Sequence, residues 1–221
     1  VLFRSPLEKR WSKLWGAKGP SLLRLPETFS RIHLDLNANW KLAVENYLEA
    51  YHLPTVHPEL NRVSPLADHE IHLDERFAGQ LSHCYNLGVG KGEHLPVFPE
   101  WPPAIYSEAE YPVLFPNTLL GIQADHLFVM VVIPEACDRT REETRLYCVG
   151  DEALEPRFES LRKGQHTFWT EVFAEDIGVV TGMQAGRQST GFDGGVLTPI
   201  METATAQFHR WVGEKVGLSL E

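Results

Sequence analysis

The chain has 221 residues, enough for one good-sized domain or two small ones, with 43% hydrophobic and 23% charged residues, an ordinary globular balance. Its formal charge of −10 is spread along the sequence without a Lys/Arg stripe, which speaks against a nucleic-acid or anionic-membrane partner. No apolar run approaches the roughly 20 residues of a spanning helix, and Cys84, Cys137 and Cys148, an odd number in no motif, argue against a disulfide framework and fit a reducing, cytoplasmic setting.

In chain order, residues 6–15 read as a short helix with Trp11, Leu14 and Trp15 on one side, and Gly16 to Pro20 as a linker. Residues 29–36 alternate apolar and polar, a strand with His33 on the solvated side. Residues 39–53 carry Trp40, Val44, Tyr47, Leu48 and Tyr51 at spacings of three and four, one buried helical face. Residues 70–86 read as one strand or a hairpin, and 88–112, rich in Gly and Pro, as a long irregular connection. Trp101, Tyr106 and Tyr111 in it either line a pocket or anchor the loop. A strand meander follows over 113–122, 127–133 and 144–149, with a polar turn over 135–143. From Glu155 to Gln188 the period is helical, with a possible division at Lys163-Gly164, and Pro199 opens a last helix carrying Ile200, Phe208 and Trp211. Central strands followed by long helices give an α+β fold, an antiparallel sheet with helices on one face.

The chemistry is concentrated in 39–58. Asn46, Glu49 and His52 or Leu53 form a stripe beside the buried face, each about one turn from the last, and polar groups half-buried in this way need partners. On an unbroken helix His52 and His57 would be about 140° and about 7.5 Å apart. Pro54 lies between them, and a helix stopping near Leu53 lets the chain turn so that both imidazoles converge, a two-histidine metal corner.

This stretch closely resembles the mononuclear-iron motif of Rieske-type non-haem iron oxygenase large subunits. Asn39-Trp40-Lys41, Glu45-Asn46, Glu49, Tyr51-His52 and His57 follow the family's run nearly continuously over 19 residues. The resemblance implies the helix-grip fold of the family's catalytic domain and a facial triad of two His and one carboxylate holding ferrous iron, with open positions for O2. It points to Asp176 as the third ligand, in a Glu175-Asp176 pair followed by Gln184 eight positions on, as on the family's late helix. Glu175, about 100° away around the helix, is the competitor. Ligand chemistry alone does not exclude zinc. The resemblance further makes Glu49 the carboxylate bridging the reducing cluster to the site, associates a Glu there with quaternary-ammonium substrates, and places Asn46 beside the iron and Tyr51 in helix packing.

The family's 2Fe–2S Rieske cluster needs Cys-x-His and Cys-x-x-His, and none of the three cysteines is so followed. Only 51 residues precede His52, and the sequence starts at Val1 without Met. The expectation is a piece of a longer oxygenase, with 1–28 connecting to a Rieske domain and 29–221 forming the mononuclear-iron domain, able to bind iron but not to turn over alone. Partners implied by the resemblance are a small organic substrate, O2, ferredoxin or reductase electron donors, and a homotrimer. A ligand-binding module without metal and a structural subunit lacking ligands are the competing functions. His69, His72, His83, His94, His126, His166 and His209 read as ordinary surface or core histidines. Arg187 and Gln188 read as solvating a helix end or meeting substrate.

Overall fold

The computed structural model describes residues 11, 16, 18–86 and 93–218. Eight antiparallel strands form one sheet: β1 (Leu23–Arg24), β2 (Arg31–Leu36), β3 (His69–Leu73), β4 (Phe77–Ser82), β5 (Ala109–Leu114), β6 (Thr118–Ile122), β7 (His126–Ala136) and β8 (Arg139–Val149). From β3 to β8 each strand pairs with the next in sequence, and β8 takes both β1 and β2 along its other edge. The helices lying wholly among the described residues are α1 (Gly19–Leu22), α2 (Trp40–Leu48), α3 (Leu53–Val56), α4 (Pro58–Val63), α5 (Glu159–Arg187) and α6 (Thr203–Val216).

Strand alternation divides the apolar residues of β6 and β7 between two clusters. Phe128, Met130 and Val132 of β7 and Leu119 of β6 face α2, α5 and α6, where Val44, Leu48, Trp169, Phe173 and Phe208 complete the main core. Leu120, Ile122 and Leu127 belong to a second cluster, with Phe98 and Trp101 of the long connection. Trp101 is thus a loop anchor, its indole N–H donating to the Ile105 carbonyl at 2.9 Å. Trp11 is helical and buried and donates to Glu110 Oε2 at 2.8 Å, whereas the rest of the expected 6–15 helix lies outside the described residues.

Several boundaries differ from the expectations, each for a physical reason. The irregular connection ends four residues earlier than 112, because β5 begins at Ala109 and contains Pro112. β5 pairs with β6 on either side of that proline, through Glu110↔Ile122 and Val113↔Leu119, while Gly79 opposes it on β4. A Cβ on Gly79 would lie 2.3 Å from the Tyr111 carbonyl oxygen and 2.6 Å from Pro112 Cα, so the close approach requires glycine. The polar residues of 135–143 lie mostly in β7 and β8, not in a turn; only Cys137 and Asp138 connect the strands. Their charges pair across the surface, as in Arg139–Glu135 at 3.4 Å. α5 is continuous over 29 residues, undivided at Lys163-Gly164. α6 starts at Thr203 rather than Pro199, which leaves Ile200 82% exposed.

Candidate metal centre

Asn39 starts α2: its side-chain oxygen accepts from Lys41 N at 3.1 Å, and its own N–H donates to Gln184 Oε1 of α5 at 2.8 Å. The helix ends at Leu48, a turn earlier than expected, because Glu49 is extended (φ −121°, ψ 150°). Pro54 then lies in the first turn of α3, where its missing N–H costs nothing, and Pro58 opens α4 in the same way. Two successive proline-started turns, instead of one terminated helix, fold the chain so that the His52 and His57 rings lie 4.9 Å apart, centroid to centroid. Tyr51 does not pack the helix; it is 49% exposed, its hydroxyl 3.4 Å from Glu202 Oε1.

α5 delivers consecutive carboxylates to opposite edges of one imidazole. Asp176 Oδ1 is 2.9 Å from His57 Nε2 and 3.7 Å from His52 Nε2, while Glu175 Oε2 is 2.7 Å from His57 Nδ1. Glu49 Oε1 takes the matching place behind His52, 2.5 Å from Nδ1. Asn46 donates through Nδ2 to Asp176 Oδ1 at 2.7 Å. One ligand atom each from His52, His57 and Asp176 falls within 4.8 Å of the others.

These residues fit a metal ion. With each Nδ1–H donated to a carboxylate, both Nε2 atoms turn lone pairs toward Asp176 Oδ1, an arrangement that calls for a cation between them. Two ligands bound at about 2.1 Å and at right angles sit about 3 Å apart, close to the spacings found. Imidazoles backed by carboxylates are also the usual outer support of metal-binding histidines. Burial opposes charging His57, which is 2% exposed, but Asp176 and Glu175 outweigh it and hold its pKa above the ordinary value.

A pocket of about 60 Å³ opens beside these groups, walled by Tyr47, His69, Tyr111, Phe128, Trp169 and Phe173. His69, expected as an ordinary surface or core histidine, lines this pocket, 2.9 Å from Gln80 Oε1 and 3.0 Å from Ser64 Oγ and stacked on Tyr111. Arg187 lies at the exposed end of α5, outside the pocket lining. It pairs with Glu45 Oε2 at 2.5 Å, and His209 meets the other oxygen at 3.0 Å, tying α2, α5 and α6 together. The i,i+4 spacing of Glu45 and Glu49 gave no signal for this role, since the partners are over 140 residues away.

The fold and this cluster agree with a match to the family model "Ring hydroxylating alpha subunit (catalytic domain)" over residues 24–218. The chain belongs to that family. It is 25% identical over 194 residues to putrescine 2-hydroxylase of Ralstonia nicotianae, covering 80% of this chain and 51% of that protein. Among solved structures it is similar to a quaternary ammonium Rieske monooxygenase (TM-score 0.74, 19% identity, 97% of this chain and 55% of that one). It is also similar to dicamba monooxygenase (TM-score 0.59, 14% identity, 85% and 59%) and to naphthalene 1,2-dioxygenase from Rhodococcus sp. (TM-score 0.55, 16% identity, 87% and 56%). These are Rieske oxygenases, and this chain has the helix-grip fold of their catalytic domains. The chain spans about half the length of the relatives it matches. Among the described residues, no helix is long and apolar enough to cross a membrane.

Proposed function

We propose that this ring-hydroxylating alpha subunit catalytic domain binds ferrous iron through His52, His57 and Asp176 and oxygenates a small organic substrate. The observation that carries this reading is the convergence of two carboxylate-backed imidazoles on Asp176 Oδ1. Iron held there supplies a coordination site for O2 and a place for electrons to arrive singly. The net change is C–H plus O2, two electrons and two protons to C–OH plus water.

The chain's own residues position and select. Glu49 and Glu175 accept the Nδ1–H of His52 and His57 and so keep both Nε2 lone pairs turned inward. Asn46 holds Asp176 by the 2.7 Å hydrogen bond. Glu49 is also the contact toward the electron source, a 2Fe–2S Rieske cluster fed by a ferredoxin or reductase. In this reading residues 29–221 form the iron domain, 1–28 lead to a Rieske domain, and the complete protein is a homotrimer.

The substrate is an amine or quaternary ammonium. The aromatic lining of Tyr47, Tyr111, Phe128, Trp169 and Phe173 together with the carboxylates of Glu49 and Asp176 suits a cation, and the relative from Ralstonia nicotianae is named for hydroxylating a diamine. The pocket has about four times the room that one water needs, which suits a small molecule.

The test is anaerobic ferrous titration of the 221-residue chain beside His57→Ala and Asp176→Ala. One iron per chain, lost in both variants, is expected. Absence of binding in the wild type would leave a ligand-binding module without metal, and binding retained in Asp176→Ala would move the carboxylate ligand elsewhere.

A further inference from the structure

The inward positions of β8 are Thr140, Glu142, Thr144, Leu146 and Cys148. Glu142 is the exception in chemistry: a carboxyl only 8% exposed, aimed into the core between the sheet and α2 and α5, with no hydrogen-bonding or ion-pair partner among the described residues. An acid so placed is costly unless something polar meets it. Burial and then the charge of Asp176 push its pKa up to about 8.

Glu142 borders a cavity of about 20 Å³, whose walls include Leu119, Met130, Phe173, Asn46 and Asp176. One water needs about 10–15 Å³, so the space takes one. Tyr47 also lines this cavity, and its hydroxyl is committed to the Leu120 carbonyl at 2.8 Å. Asn46 Oδ1, by contrast, is buried without a protein partner, while its amide nitrogen holds Asp176 Oδ1 at 2.7 Å. An orphaned amide oxygen and an unpaired carboxyl thus share a one-water space directly behind the carboxylate read above as the third ligand.

We propose that Glu142 is a positioning residue for the metal centre: through one buried water it fixes the Asn46 amide, and Asn46 in turn fixes Asp176. The water donates one hydrogen to Asn46 Oδ1. Toward Glu142 it accepts from the acid or donates to the carboxylate, so the link survives in either protonation state. The inference rests on Asp176 being a metal ligand.

The test is anaerobic ferrous calorimetry with thermal melts of the metal-free protein, on wild type, Glu142→Gln and Glu142→Leu. Glutamine keeps a donor and an acceptor toward the water, so its affinity stays within about twofold of wild type. Leucine removes the link and weakens iron about 10- to 100-fold, the usual cost of losing an outer-shell partner, while its melting temperature is unchanged or higher because a buried acid has gone. Should leucine fail to fold, Glu142→Met carries the same expectation. In an Asn46→Ala background the leucine substitution should add no further loss of affinity, since the route through Asn46 is already cut. Wild-type affinity in the leucine or methionine variant overturns the proposal, and so do equal losses in the glutamine and leucine variants. A wild type that binds no iron overturns instead the reading beneath it.

Discussion

The carboxylate of Glu175 lies 2.7 Å from Nδ1 of His57, on the edge of the ring opposite to Asp176. The contact fixes which nitrogen carries the proton and which is left to bind. Glu175 has a 40% exposed side chain, so its removal should leave the fold intact. Glu175→Ala is expected to weaken ferrous binding about tenfold or more, and Glu175→Gln, whose amide oxygen still accepts from Nδ1–H, much less. Parallel calorimetric titrations check this, and equal affinity in wild type and Glu175→Ala would remove Glu175 from the support of the site.

Trp169 lines the metal-side pocket, and its partner His126 lines a second cavity of about 80 Å³ with Tyr85 and Asp125. Its indole N–H donates to His126 Nε2 at 3.0 Å, and His126 Nδ1–H donates to Asp125 Oδ1 at 2.6 Å. Trp169→Phe keeps most of the packing but leaves His126 Nε2 without its donor in a 0% exposed site. A loss of about 1–3 kcal/mol is expected, read as a lower denaturant midpoint at unchanged slope. An unchanged midpoint would show that the hydrogen bond contributes nothing net.

What the sequence disclosed and what it hid follow from the range of the interactions. The two-histidine corner was legible because His52, His57 and the prolines around them act within a few residues. The helical period of α5 was legible for the same reason, and the structure brings Asp176 to those histidines. The exit of Glu49 from α2 was hidden, because propensity favours continuing the helix and only the fold around His52 turns it out. Pro112 argued against a strand, and only its register against Gly79 admits one. Glu142 looked like turn polarity in 135–143, since nothing local tells that β8 aims it inward. His69 had no signal, as Gln80 and Ser64 meet it only once β3 and β4 pair.

His69 gives the chain a pH dependence. Burial lowers its pKa below the ordinary imidazole value, the hydrogen bonds to Gln80 and Ser64 compensating only in part. The folded state therefore takes up the proton at lower pH than the unfolded chain does. Its contribution is fully present above the ordinary value of about 6.5 and is lost as pH falls from there through the lowered folded value. His69→Gln retains hydrogen-bonding capacity and does not titrate. Its melting temperature should fall less between pH 7 and about pH 5 than that of the wild type, other groups being common to both. Parallel curves over that range would rule His69 out as the source.

The three thiols provide a readout of how tightly the end of β8 is covered by Leu95 and Ala153. Cys137, at the β7–β8 connection, is exposed, Cys84 is half-buried, and Cys148 is 3% exposed opposite Arg24 of β1. Burial pushes the Cys148 thiol up to about 12, so at pH 8 it carries almost no thiolate, the reactive form. In a Cys84→Ser variant one thiol should react promptly with a disulfide reagent and the second only as fast as the packing of Leu95 and Ala153 over Cys148 opens. The second phase should accelerate with denaturant and merge with the first at the unfolding midpoint. Two prompt thiols in native buffer would mean that Leu95 and Ala153 do not cover Cys148 in solution, and their packing against β8 would then be the contact to revise.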